Sequence, residues 1–115
     1  MKSIFIALLF TILSKFSFTQ NQVNETHFFG QCLLTINDET LFNQLQEELK
    51  KNPYVYLVRL DWNTKRVFIL TKDVSVFTEN DLKSWFGPYG DALKCIQTGV
   101  HGVDVVNQFP FTECN

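Results

Sequence analysis

Residues 54–71 read YVYLVRLDWNTKRVFILT, and this stretch decides the fold. Tyr54–Asp61 and Arg66–Thr71 are runs of β-branched, aromatic and aliphatic residues, and Trp62-Asn63-Thr64-Lys65 joins them. Two such runs separated by a short turn-forming segment predict a β-hairpin. Side chains alternate between the two faces of a strand, so parity assigns each residue to a side. Tyr56, Val58, Leu60, Val67 and Ile69 suit a side that packs on helices. Leu57, Phe68 and Leu70 then fall on the opposite side with Arg59 and Asp61.

The flanking segments complete the pattern. Upstream, Phe28–Ile36 is mostly apolar and reads as a first strand. Asn37 and Asp38 are good helix caps, and Asp38 and Glu39 suit the positive helix start. Leu41, Phe42, Leu45 and Leu49 recur at helical spacing, and Lys50, Lys51, Asn52 and Pro53 supply the stop. Downstream, Thr78 caps a second helix, with Asp81 three residues on and Phe77 paired with Leu82 as a hydrophobic staple. Leu82, Trp85, Phe86 and Tyr89 form its apolar stripe, which reads as core, and Gly87-Pro88 ends it. Ala92–Thr98 is the last strand. The order is βαββαβ. It predicts an α+β, ferredoxin-like domain with two helices on one face of a four-stranded antiparallel sheet.

These residues also resemble a known family. Pro53-Tyr54-Val55, Val58-Arg59-Leu60-Asp61, Lys65-Arg66-Val67-Phe68-Ile69 and Thr78-Glu79-Asn80-Asp81-Leu82, with the element order, are similar to the heavy-metal-associated domain of copper chaperones and metal-pumping ATPases. The resemblance covers about Phe29 to Gly99. In that family a Met-x-Cys-x-x-Cys loop between the first strand and first helix holds a soft metal. Alignment on Pro53-Tyr54-Val55 puts Ile36 at the Met position, and Asp38 and Leu41 at the cysteine positions. A carboxylate and an aliphatic side chain do not replace two thiolates for Cu(I). The resemblance therefore implies the fold and not metal transfer, and no cofactor is expected.

Residues 1–19 read as a secretory signal peptide. Lys2 opens the chain, Ile4–Leu13 is a short apolar run, and Ser17 and Thr19 are small residues before a cut at Gln20. A run of that length is too short to span a bilayer, which needs about 20 apolar residues. The mature protein is thus expected outside the cytoplasm, secreted or periplasmic, with no membrane attachment after cleavage. Residues 20–27 are a polar lead-in, 28–99 the ferredoxin-like domain and 100–115 a tail. Without Lys2 and Lys15 the remainder has 8 basic and 12 acidic residues, a net −4. Nothing in that balance favours nucleic acid.

Cys32, Cys95 and Cys114 are the cysteines. If the first and last strands oppose their centres, Cys32 faces Gly99 and lies about 13 Å along the strands from Cys95, beyond disulfide reach. The tail leaves the last strand beside Cys32. This predicts a Cys32–Cys114 disulfide with Cys95 as a buried free thiol. The alternative is an extracytoplasmic metal site from Cys32, Cys114 and His101, or with His27 in place of one thiol, chemically suited to zinc or copper but without a recognised spacing.

Catalysis is not expected. His27 and His101 sit in the lead-in and tail, and Cys95–His101–Asp104 is the one nucleophilic grouping that can be drawn. The feature that folding does not require is the second apolar side of the sheet. Leu33 or Leu34 joins Leu57, Phe68 and Leu70 there. That surface is expected either to contact a protein partner or a second copy, or to be covered by Val103, Val105, Val106, Phe109 and Phe111 of the tail.

Overall fold

The computed structural model describes residues 26–112 and Cys114. The expected signal segment and most of the lead-in lie outside the described residues. The elements are β1 (Phe28–Leu34), α1 (Glu39–Lys50), β2 (Val55–Asp61), β3 (Arg66–Thr71), α2 (Glu79–Trp85) and β4 (Leu93–Val100). A 3-10 turn, Gly87–Ala92, connects α2 to β4. The four strands form one antiparallel sheet in the order β2-β3-β1-β4, the α+β, ferredoxin-like arrangement expected from the element order.

Local chemistry accounts for each boundary. The Asp38 carboxylate accepts the Leu41 N–H and starts α1. At α2 the box is complete: Thr78 Oγ1 accepts the Asp81 N–H, and Asp81 Oδ2 accepts the Thr78 N–H at 2.8 Å. Each cap contributes on the order of 1 kcal/mol. In the hairpin turn, Asp61 Oδ1 accepts the Asn63 N–H, Oδ2 accepts the Thr64 hydroxyl, and Lys65 turns left-handed at φ 64°. Gly90 in the 3-10 turn runs against α2. A Cβ there would lie 2.7 Å from the Lys83 carbonyl oxygen, so only glycine fits.

Both helices pack on the same side of the sheet. Cys32, Leu34, Val67, Ile69 and Leu93 meet Phe42 and Leu49 of α1 and Leu82 of α2 in one buried cluster. Trp62 from the hairpin turn folds back edge-on to Phe42 at 5.3 Å between ring centres. Near the outer edge of the sheet, the Gln46 side chain of α1 accepts the Leu60 N–H at 2.7 Å. One backbone donor of edge strand β2 is therefore closed by the helix layer.

Two bulges reset the parity of the edge strands. Pairing of β2 with β3 shifts between Val55 and Leu57, so Tyr56 is an extra residue. It leaves the helix side and is 60% exposed, stacked on His27 at 4.8 Å. This corrects the assignment of Tyr56 to the helix-facing set; Val55 takes that place instead. Between β1 and β4 the register passes from Gln31↔Gln97 to Leu33↔Lys94, so Cys95 and Ile96 together oppose Cys32. Cys95 adopts φ 56°, the left-handed backbone that such an insertion uses.

Candidate interaction surface

On the side of the sheet away from the helices, the register defines a grid. β2 supplies Leu57, Arg59 and Asp61, opposite Leu70, Phe68 and Arg66 of β3. β1 supplies Phe29, Gln31 and Leu33, with Gly99, Gln97 and Lys94 of β4 beyond. Leu34, by contrast, is in the core, so Leu33 is the first-strand residue of the open side.

The tail crosses half of this grid. After β4 the chain turns at Gly102, where φ is 85°, and Asp104 Oδ2 accepts the Val100 N–H at 2.7 Å. A Cβ on Gly99 would come within 2.9 Å of the Phe29 ring and 3.0 Å of the Asp104 carboxylate, so the glycine lets the tail settle against the sheet. Gln97 Nε2 donates to the Val105 carbonyl and its Oε1 accepts the Asn107 N–H, both at 2.8 Å. Gln31 Nε2 donates to Gln97 Oε1 and, at 2.8 Å, to the Asn107 carbonyl. Further along, the Arg66 guanidinium lies 4.9 Å from the centre of the Phe109 ring.

Cover is thus partial, and its means differ from the expected apolar lid. Val103 and Val105 are 75% and 84% exposed, so they point to solvent. The tail is held by two glutamines reading its backbone, by one cation–π contact and by a disulfide. Phe29 and Gln31 of β1 are buried at 0% and 1% exposure. Gln31 Oε1 is buried with no hydrogen-bond partner. The β2–β3 half is open: Phe68, Leu70 and Leu33 are half-buried, and Leu57 is 39% exposed. Arg59, Leu60, Asp61, Arg66 and Phe68 line a half-open concavity of about 440 Å³ there. Parity placed Leu57, Phe68 and Leu70 on this side and left Leu33 and Leu34 as alternatives, between which the register chooses Leu33. It missed Gln31, although a lone amide in the run Phe28–Leu34 is a visible signal of a polar partner.

The disulfide corrects the expected pairing. Cys95 bonds Cys114, and Cys32 is the free thiol. The physical reason is register. Gly99 pairs with Phe29, three residues before Cys32, and the bulge swings Cys95 out of the ladder at the edge where the tail arrives. Cys32 instead points into the core, and burial pushes its thiol pKa up to about 12. The alternative metal set does not converge: Cys32 is buried, Cys114 is bonded to Cys95, and His101 sits in the turn after β4, where its N–H donates to the His27 carbonyl. Among the described residues no group of three His, Cys, Asp or Glu could hold a metal ion. The grouping Cys95–His101–Asp104 likewise lacks a free thiol, and its carboxylate is used by the Val100 N–H. Among the described residues no helix is long and apolar enough to cross a membrane. No family model, curated protein or solved structure matches the chain.

Proposed function

We propose that this chain is a small exported, non-catalytic domain that binds a protein partner through the uncovered half of its open sheet face. One observation carries the reading. The tail covers Phe29 and Gln31 of β1 and reaches β3 at Arg66, leaving Leu57, Phe68 and Leu70 accessible beside Leu33. Apolar side chains gathered on one exposed surface are a usual mark of an association site. The Cys95–Cys114 bridge supports a place outside the cytoplasm, where disulfides persist.

The domain resembles a heavy-metal-associated fold that has given up its metal loop, in keeping with the roles of two residues. Asp38 caps α1 and Leu41 packs against the core, so both positions are committed to folding. A photo-crosslinking side chain placed at position 57 in the exported protein tests the proposal against the same label at the exposed helix position Gln44. Discrete protein adducts at 57 and none at 44 support it. Equal labelling at the two positions overturns it.

A further inference from the structure

We infer that the partner segment is an extended, acidic and apolar peptide lying along the β2–β3 half of the open face. This deepens the reading above and rests on it. The charge distribution supplies the argument. The helices carry Glu39, Glu47, Glu48, Glu79 and Asp81 against Lys50 and Lys83, whereas the open face carries Arg59 and Arg66 with Lys94 at its far edge. Lys50 pairs with Glu47 and Lys51 with Glu48 at the end of α1, and among the described residues neither arginine is paired with a carboxylate. Asp61, across from Arg66, is the one acid among the strand residues of this face, and its two oxygens already accept from Asn63 and Thr64. Arg59 and Arg66 outnumber Asp61, which keeps its charge, so this face is net positive on an otherwise acidic domain and favours an anionic partner.

The shape selects an extended one. From one end of the groove to the other the floor is Leu57 with Leu70, then Arg59 with Phe68, then Asp61 with Arg66. Successive rows lie two residues apart, about 7 Å, which is the spacing of same-face side chains in a strand. The tail forms a wall on one side, and Phe109 against Arg66 closes the far end. A strand whose face-down residues, two apart, are an aliphatic and then an acid sets the first over Leu57 and Leu70 and the second beside Arg59 and Phe68. Its carboxylate then reaches the guanidinium of Arg59, where a charge-assisted pair is strong and directional.

The test uses the full oxidised chain and a synthetic peptide of seven residues, the length of β2, with Leu, Glu and Leu at its second, fourth and sixth positions and Thr between them, so that Leu and Glu share one face. Controls replace Glu with Lys or with Gln. Amide chemical-shift mapping and fluorescence anisotropy read the site and the affinity. The Glu peptide is expected to shift Leu57, Arg59, Phe68 and Leu70, to bind about tenfold more tightly than the Gln peptide, and to weaken by a similar factor in Arg59→Glu. Binding also weakens between 0.1 and 1 M salt, as the screening length falls from about 10 to 3 Å. Equal binding of the Glu and Lys peptides, shifts confined to the helix face, or no binding overturns the acidic-segment inference. So does sedimentation showing a dimer that Arg59→Glu dissociates, because the occupant is then a second copy. Crosslinking at position 57 is independent of peptide charge, so its success with a failed peptide test would retain the surface and reject only the choice of partner.

Discussion

Removing the Cys95–Cys114 bridge measures how firmly the tail belongs to the fold. The two cysteines are 19 residues apart, and the chain-entropy relation for a loop of that size gives about 3 kcal/mol of stabilisation through the unfolded state. That figure holds only if the loop is already ordered in the folded protein. Were the tail loose against the sheet, the bridge would restrict the folded and unfolded chains alike, and the effect would fall towards zero. The hydrogen bonds from Gln31 and Gln97 to residues 105 and 107 argue for an ordered loop. The double variant Cys95→Ser/Cys114→Ser should therefore lose about 3 kcal/mol in urea unfolding followed by circular dichroism. For a domain of this size the corresponding fall in Tm is roughly 10–20 °C. Cys114 is exposed and Cys95 half-buried, so the serines add no large packing loss. A loss below about 1 kcal/mol refutes the docked tail, since the entropy term is then nearly absent.

Cys32 should resist thiol reagents in the folded protein at pH 8 and react once it is unfolded, because burial removes both access and the thiolate. Its raised pKa also sets a pH dependence. Below pH 9.0 the thiol is protonated in both states and the contribution is flat; above it the unfolded chain releases the proton first, so stability falls as pH rises towards about 12. Cys32→Ala should flatten that decline in alkaline unfolding curves. Gln31→Ala should weaken the tail's anchorage by about 1–2 kcal/mol and speed amide exchange at Asn107, while exchange in the β2–β3 hairpin stays unchanged. Gly90→Ala should cost about 1–3 kcal/mol in thermal unfolding, since the Lys83 carbonyl 2.7 Å from the new methyl belongs to a helix and cannot yield cheaply.

The parts of the fold that depend on short-range chemistry were legible in the sequence. Asp38, Thr78 with Asp81, and the Asp61–Arg66 turn act locally, so their residue types announce the helix starts and the hairpin. Parity along β3 held because its pairing with β1 runs without a bulge, so the alternation assumed from Arg66 to Thr71 is the one observed. What failed was parity in the edge strands. Val55-Tyr56-Leu57-Val58 is an unbroken apolar run, so nothing in it marks the extra residue at Tyr56. The bulge at Cys95 is equally silent, and a shift of three residues against β1 was enough to exchange the disulfide partner of Cys114. Two polar residues carried the missing signal. Gln31 and Gln97 are register partners, and together they hold the backbone of a tail whose apolar residues suggested a hydrophobic lid.

Solvent paramagnetic relaxation of side-chain resonances tests the half-covered sheet face most directly. A soluble nitroxide should broaden the methyls of Leu57 and Leu70 strongly and spare the ring of Phe29, which lies at 0% exposure on the same side of the same sheet. Broadening of Phe29 as strong as that of Leu57 would place the tail off the sheet. Equal protection of all three would mean that no open surface exists for a partner.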